Sequence, residues 1–533
     1  MALKELFRST RGKMLPHTNS HNHEGAPAYE LDSRTALAQL AATGCFGSTF
    51  YVSGREQLDL VLDHARKCEP AFVAKVAVYA RERGFMKDMP AVLLAHLSTR
   101  GPEGIALMKQ VFPRVIDNGR MLRNFVQVLR SGQLGRKSLG TAPKREVQKW
   151  LAGRSAMQLF RDSIGNDPSL ADVVKMVHPK PSSDEQKAMY GYLLDREYDA
   201  NKLPGDVRKY EAWKQGEANG EVPNVPYRML DGLPLGKSEW TAIAKRARWH
   251  ETRMNLNTYQ RHGVFDVLDL RRIVATRLAS QEEVRKAKVF PYQLLVAWKA
   301  ASGVPSQVQS ALQDAMEHAV ANVPRLEGRV VICPDVSGSM AWSPITGHRH
   351  GSTSVVRCID VAGLIAAALL RQNDKARVIP FETDVCKVRL NPRDSVMTLA
   401  DQLAKIGGGG TRCSAPLSLL RREKAKVDTV IFVSDNESWI DSHGESQRAV
   451  RGLGGWGGST AMLSEWEKLR TRNPGAKLIC IDLTPNIHKQ AIDRPDILNV
   501  GGFSDTVFDI VAQFAKAGSD ARHWADLIDQ TEL

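Results

Sequence analysis

The chain has 533 residues, 43% of them hydrophobic, with 73 Lys+Arg against 59 Asp+Glu. That length exceeds one hydrophobic core and predicts two or three domains, while no stretch of eighteen residues is apolar throughout, which argues against a membrane span. The seven cysteines, at 45, 68, 333, 358, 386, 413 and 480, form no C-x-x-C pair, so a disulfide framework and structural zinc are both unexpected and a reducing cytoplasm is expected.

Residues 1–30 are polar and read as a loose N-terminal segment without the apolar centre of a signal peptide. They contain His21-Asn22-His23, whose imidazoles could face one metal, but no further ligand stands near them in sequence. From about 56 to 300 the pattern is helix after helix. Leu58, Val61, Leu62 and Ala65 recur at helical spacing, as do Phe72, Val73, Val76 and Tyr79. Breakers follow at Gly84, Pro90, Gly101-Pro102, Pro113, Gly119 and Gly132. Short helices with short connections predict an all-α, HEAT-like solenoid over 31–305, although no repeat has a fixed period. Residues 200–236 read as a long loop or irregular excursion.

Charge is spread unevenly. Residues 1–300 hold 47 basic against 32 acidic residues, and 301–533 hold 26 against 27. Residues 101–150 are the extreme, with 10 against 3. A one-sided excess favours a polyanion such as nucleic acid. Arg120, Arg123, Arg130, Arg136, Lys137, Lys144 and Arg145 form the densest stretch; some of them must lie on ordinary solvated faces. Lys245-Arg246-Ala247-Arg248-Trp249-His250 sets a Trp among cations, where it either stacks a base or fills the core.

After about 305 the texture changes. Strand-like runs at 328–333, 376–381, 385–390, 428–433, 477–482 and 497–500 alternate with helical stretches at 354–371, 394–405, 414–424, 459–471 and 504–517. Alternation predicts an α/β, doubly wound (Rossmann-like) parallel sheet over 306–533. The closeness of 376–381 to 385–390 predicts one antiparallel edge hairpin. Cys333 and Cys480 fall in apolar runs and read as small buried hydrophobes.

The run Val330-Val331-Ile332-Cys333 empties into Pro334-Asp335-Val336-Ser337-Gly338-Ser339-Met340. One carboxylate and two hydroxyls at alternate positions can face a hard cation without crowding it, at the strand end where open α/β sheets bind ligands. Gly407-Gly408-Gly409-Gly410-Thr411 is a second loop ending in a hydroxyl. It lacks the Gly-Lys-Ser/Thr ending of a phosphate-binding P-loop. A third oxygen-bearing loop, Ser434-Asp435-Asn436-Glu437-Ser438, follows the apolar run Thr429–Val433. Gly452-Leu453-Gly454-Gly455-Trp456-Gly457 spells G-x-G-x-x-G but follows polar sequence, so it reads as a mobile surface loop.

Asp-x-Ser-x-Ser, then Thr, then Asp resembles the metal-ion-dependent adhesion site of von Willebrand factor A domains. The resemblance implies one divalent cation, Mg2+ ahead of Ca2+ or Mn2+, held by Asp335, Ser337, Ser339, Thr411 and Asp435. An acidic partner group would complete its shell. Asp435 stands in Ser-Asp-Asn-Glu, where the commoner family form is Thr-Asp-Gly. In the first half, Cys45–Tyr51, Tyr79–Lys87, Ser138-Leu139-Gly140, Asp172–Pro181 and Arg253–Thr258 resemble the TROVE module of Ro autoantigens.

With the A-type domain behind it, the similarity to bacterial members of the Ro family covers nearly the whole chain. It implies a closed ring of HEAT-like helix pairs whose ends the A-type domain joins. It also implies a non-catalytic, monomeric RNA-binding protein of noncoding-RNA quality control. Small noncoding Y-like RNA would bind the basic outer face, and single-stranded 3′ ends of misfolded RNA would enter the hole. An exoribonuclease partner is a family-level expectation for bacterial members. His178 matches a position that contacts Y RNA in this family, with Arg161 and Lys175 able to flank it; a helix-terminal histidine held by backbone is the competing reading. Two other classes remain open: a metal-dependent adhesion module for an acidic protein partner, and a metal-dependent nuclease, which would want more convergent carboxylates than Asp335 and Asp435.

Overall fold

The computed structural model describes residues 15–43, 52–216, 221–230, 232–289, 291–301, 303–321, 323, 325–345, 356–442, 459–484, 486–502, 505–516 and 524–533. The Cys45–Tyr51 block, residues 1–14 and the G-x-G-x-x-G stretch at 452–457 lie outside them.

From Ser33 to Val320 the described chain is overwhelmingly helical. Each helix buries the stripe its sequence carries: Val61, Leu62 and Ala65 in Gly54–Lys67, then Phe72, Val73 and Val76 in Pro70–Glu82. Starts are fixed locally. Ser53 and Glu56 make a reciprocal capping box, Pro70 opens its own helix, and Asn118 accepts from the Met121 amide at the head of Gly119–Arg130. Successive helices pack on one another, as in Pro70–Glu82 against both Asp88–Leu97 and Gly101–Val115. The 200–236 stretch departs from expectation. It carries the helix Gly205–Lys214 and a 3-10 turn at Tyr227–Met229. That helix buries only Val207 fully, so its apolar stripe was too thin to read.

One buried titratable group is expected to make this helical array acid-sensitive. His96, 3% exposed, accepts or shares a hydrogen at 3.4 Å with Arg100. Burial, then the Arg100 charge, hold its pKa down to about 4 from 6.5. As pH falls below 6.5 the unfolded chain takes up this proton and the folded one does not, so stability drains until about pH 4. The loss attributable to His96 is about 3 kcal/mol. Chemical denaturation of wild type and His96→Met at pH 7 and pH 4.5 measures it. Equal acid losses in the two proteins would assign the effect to other groups.

Eight strands are described: β1 (Ser20–His21), β2 (Pro27–Glu30), β3 (Val330–Pro334), β4 (Arg377–Val378), β5 (Thr429–Ser434), β6 (Lys477–Asp482), β7 (His488–Lys489) and β8 (Ile497–Gly501). The main sheet is parallel, in the order β4-β3-β5-β6-β8. Alternation along each strand feeds two cores. Val330 and Ile332 of β3 and Ile431 and Val433 of β5 join a core shared with the helical half. Val331, Cys333, Val430 and Phe432 face a second core with Trp466 and Leu417. Cys333 and Cys480 are buried, as read from sequence, and burial pushes both thiols up, that of Cys480 to about 12.

Two expectations are corrected. The edge hairpin reduces to a two-residue β4, parallel to β3, and a single antiparallel bridge between Phe381 and Val385. Pro380 has no N–H to extend the ladder, and the turn closes instead through Cys386 N–H to its carbonyl, 2.7 Å. The segment before residue 30 is not loose where it is described. β1 and β2 pair, and β2 pairs with β7, making a second, three-stranded sheet on the α/β half.

The α/β half touches both ends of the helical array, which closes it into a ring. At one end Gln39 Nε2 donates to Asp482 Oδ2 (2.9 Å), and Trp524 Nε1 donates to the Tyr79 hydroxyl (3.2 Å). At the other, Lys299 Nζ pairs with Asp360 Oδ1 (2.6 Å), and Glu317 caps the Val396 amide (3.2 Å).

Candidate metal centre and nucleic-acid face

The strand order places β3 and β5 side by side although β4 lies between them in sequence. This is the point where the winding direction reverses, and open sheets bind ligands there. Asp335 follows β3 and Asp435 follows β5. Asp335, Ser337, Thr411 and Asp435 are 2% exposed or less, and Ser339 is 9% exposed. Asp335 accepts from the Ser337 amide (2.9 Å) and the Ser434 hydroxyl (2.6 Å). The Ser337 and Ser339 hydroxyls lie 3.2 Å apart, and Ser339 faces the Asp435 carboxylate.

The glycine run is what lets the third loop approach. Gly408 N–H donates to Val336 O (3.1 Å) and Gly338 N–H to Gly409 O (2.7 Å). A Cβ on Gly407 would sit 2.5 Å from Val336 O, and Gly408 has φ +148°. Thr411 O in turn accepts the Trp439 and Ile440 amides at 3.2 Å, tying this loop to the one after β5. The Ser-Asp-Asn-Glu departure has a conformational reading. Asn436, where the commoner motif has glycine, has φ 62°, a left-handed conformation that asparagine tolerates better than most side chains.

Electrostatically the site is overloaded with negative charge. Burial and the Asp335 charge push Asp435 well above the usual carboxylate range, and burial raises Asp335 as well. Asp435 Oδ2 is buried with no hydrogen-bond partner. Two carboxylates, one of them with an orphaned oxygen, and two adjacent hydroxyls suit a hard divalent cation. Asp335, Ser337, Ser339 and Asp435 thus come together, with the loop that carries Thr411 tied beside them, and this donor set fits such a cation.

Sequence reasoning missed the support behind them. Glu437, fully buried, accepts the His23 amide at 2.9 Å, meets His23 Nδ1 at 2.7 Å and accepts from Asn486 at 3.1 Å. Asn22 donates to Ser438 O (2.9 Å). The histidine pair therefore braces the Asp435 loop through His23. Its partner lies 414 residues away in the chain, which local spacing cannot show.

The basic residues divide. Arg120, Arg130, Lys137, Arg145, Arg161, Lys175 and His178 are exposed, and Lys144 is half-buried. Arg123 is not available to a ligand. It is 7% exposed and donates to the carbonyls of Asp162 (3.1 Å), Ile164 (2.7 Å) and Gly165 (3.3 Å). Its place four residues after Gly119 and three before Val126, both buried, puts it on the core face of its helix. Arg136 is half-buried and donates to Ser98 Oγ (2.5 Å). Trp249 is core, its Nε1 bonded to Leu278 O (3.1 Å).

His178 caps helix Leu170–Val177 in left-handed conformation, its amide donating to Val174 O (2.9 Å) while its ring stays exposed. Arg130, at the end of helix Gly119–Arg130, lies against Met176, and Gln148 of helix Thr141–Ala152 donates to Val177 O (2.6 Å). Three helices so gather Arg130, Arg145, Lys175 and His178 on one neighbourhood. Arg120 is partly engaged by Asp88 at 3.6 Å.

Residues 329–451 match the family model described as the Ro60 vWA domain. The RNA-binding protein RO60 of Deinococcus radiodurans is 23% identical over 96% of this chain and 99% of that one. The chain is similar to Ro proteins over nearly its whole length. RNA-binding protein RO60 of Caenorhabditis elegans is 25% identical to it over 33% of this chain and 28% of the other. In fold, the chain is similar to the crystal structure of the Deinococcus radiodurans RO (RSR) protein, with a TM-score of 0.61, 20% identity, and coverage of 91% and 99%. The helical ring joined by a vWA domain is therefore the Ro architecture. No described helix is long and apolar enough to cross a membrane.

Proposed function

We propose that this chain is a non-catalytic RNA-binding protein of the cytoplasm. It binds small noncoding Y-like RNA on its basic outer face and the single-stranded 3′ ends of misfolded RNA in the ring cavity. The observation that carries this reading is the exposed cluster of Arg130, Arg145, Lys175 and His178, contributed by three helices whose acidic residues are few. Guanidinium and ammonium groups on a rigid face neutralise phosphates without reading sequence, which suits a protein that must accept many defective RNAs. The names of the two RO60 relatives support RNA as the ligand. Handing such RNA to an exoribonuclease would fit the same role.

The vWA half holds one divalent cation, Mg2+ first, through Asp335, Ser337, Ser339, Thr411 and Asp435. Bound there, the cation supplies an electrophilic point for an acidic partner group. A scaffold that recruits an acidic protein is accordingly the second reading, favoured by the buried, unmet charge of Asp435.

Filter binding at several salt concentrations tests the first. Replacing Lys137, Lys144 and Arg145 together with alanine is expected to weaken RNA binding and to make the slope of log K against log salt shallower by about two. Wild-type affinity that is absent, or indifferent to salt, would remove the RNA reading. Asp335→Ala is expected to leave RNA affinity intact while abolishing metal-dependent capture of an acidic partner. Loss of both together would make the metal a fold-holding element only.

A further inference from the structure

Two clefts in the helical half share one wall. The narrower, about 160 Å³, is lined by Arg161, Arg246 and Arg248, with Glu251 and Tyr227 opposite. The wider, about 550 Å³, is lined by Tyr227, Trp240, His262, Asn255 and Arg261 over an apolar floor from Leu233 to Leu235. Tyr227, on the 3-10 turn Tyr227–Met229, belongs to both.

Their chemistries differ. In the narrow cleft Arg246 is occupied, donating to the carbonyls of Val222 (2.7 Å) and Pro223 (2.5 Å), and so shapes the wall. Neither Arg161 nor Arg248 has a side-chain ion pair or hydrogen bond among the described residues, and both are exposed. Glu251 is engaged by the Arg248 amide (2.9 Å) at the head of its own helix. Two unpaired guanidiniums around a small polar hollow are suited to a phosphate.

In the wide cleft the His262 ring lies stacked on Trp240, with centroids 5.4 Å apart and planes 29° from parallel. Asn255 gives its Nδ2 to Glu251 O (2.9 Å), which leaves its Oδ1 as an acceptor, and Arg261 stands exposed at the edge as a donor. The volume lies in the range of small-ligand pockets. A flat aromatic wall with one donor and one acceptor suits an unstacked base.

We propose that the paired clefts hold one nucleotide of a single strand, its phosphate beside Arg161 and Arg248 and its base in the cleft of Tyr227, Trp240 and His262. The inference rests on the RNA reading above and names where an unpaired residue is gripped. A duplex keeps its bases stacked inward and cannot fill the wider cleft.

Fluorescence anisotropy with the full chain tests it, using a short unpaired RNA and a blunt duplex RNA of equal length. Arg161→Ala/Arg248→Ala and Tyr227→Ala are each expected to weaken the single strand about tenfold while changing the duplex by less than about twofold. Uridine monophosphate is expected to displace the single strand at lower concentration than uridine or inorganic phosphate does. Equal loss for strand and duplex, no loss for either, or displacement by phosphate as good as by the nucleotide would overturn the proposal. Each of these leaves the RNA reading standing. Failure of the wild type to bind either RNA would instead remove that reading. If a melt shows Tyr227→Ala to be unfolded, the exposed arginine pair decides alone.

Discussion

Replacing Lys489 with alanine is expected to destabilise the protein by about 3–5 kcal/mol. Lys489 and Asp482 are 1% and 0% exposed in their side chains and meet at 2.6 Å. Asp482 also accepts from Gln39 of the helical half. Burial outweighs the lysine and lifts the Asp482 pKa to about 6. Without Lys489 the carboxylate is left buried with only neutral donors, Gln39 from across the ring joint, the Thr484 amide and Asn436, and its proton is held more tightly still. The sign follows. A carboxyl whose folded pKa is raised binds more protons folded than unfolded, so stability falls as pH rises through the folded pKa. The deficit of Lys489→Ala is therefore expected to be larger at pH 8 than at pH 5. Denaturant midpoints at both values measure it, and equal deficits would reduce the effect to lost packing. Lys489→Ala/Asp482→Leu should recover most of the stability, because no charge is then stranded.

Why this joint was invisible in the sequence while the metal loops were not is a matter of range. Val330–Cys333 and Thr429–Val433 are apolar over their full length because both faces of a parallel sheet are covered. Their ends are therefore sharp, and the oxygen-bearing residues after them are read directly. The glycine run is equally legible, since four glycines together mean a loop that passes close to other backbone. β1, β2 and β7 are two to four residues long, too short for any period, and β2 pairs with β7 across more than four hundred positions. In sequence His23 is a metal-ligand type without neighbours, because Glu437 is a neighbour only in space.

The basic stretch fails differently. A count of charge treats Arg123 like Arg120, yet the helical period sets Arg123 inward, where it staples the 162–165 turn. Reading phase as well as composition would have separated them. The edge hairpin was lost to one residue, Pro380, whose missing donor was in plain view.

Magnesium is expected to raise the melting temperature of the wild type, and chelation to reverse it. At a thousandfold excess over Kd a cation bound only by the folded state stabilises by about 4 kcal/mol. The physical ground is the geometry behind β3 and β5. Two carboxylates, each 1% exposed or less, share a site, and one oxygen of Asp435 meets no donor. Held ionised without a counter-charge, such a pair destabilises the fold it sits in. Asp435→Asn should therefore act in opposite directions. In chelator it removes one of two repelling charges and is expected to melt at or above the wild type. In magnesium it lacks a ligand charge and is expected to gain nothing, so the order of the two melting temperatures inverts. Asp335→Asn keeps Oδ1 to accept the Ser337 amide and sets Nδ2 as a donor towards the Ser434 hydroxyl, which can turn to accept it, so its loss of the magnesium response would reflect charge rather than a broken loop. A wild type that ignores Mg2+, Mn2+ and Ca2+ alike would end the case for a cation here. A response that survives in both asparagine variants would move the site elsewhere. The inversion matters more than either shift alone, because a carboxylate that merely braced the loop would destabilise in both buffers when replaced.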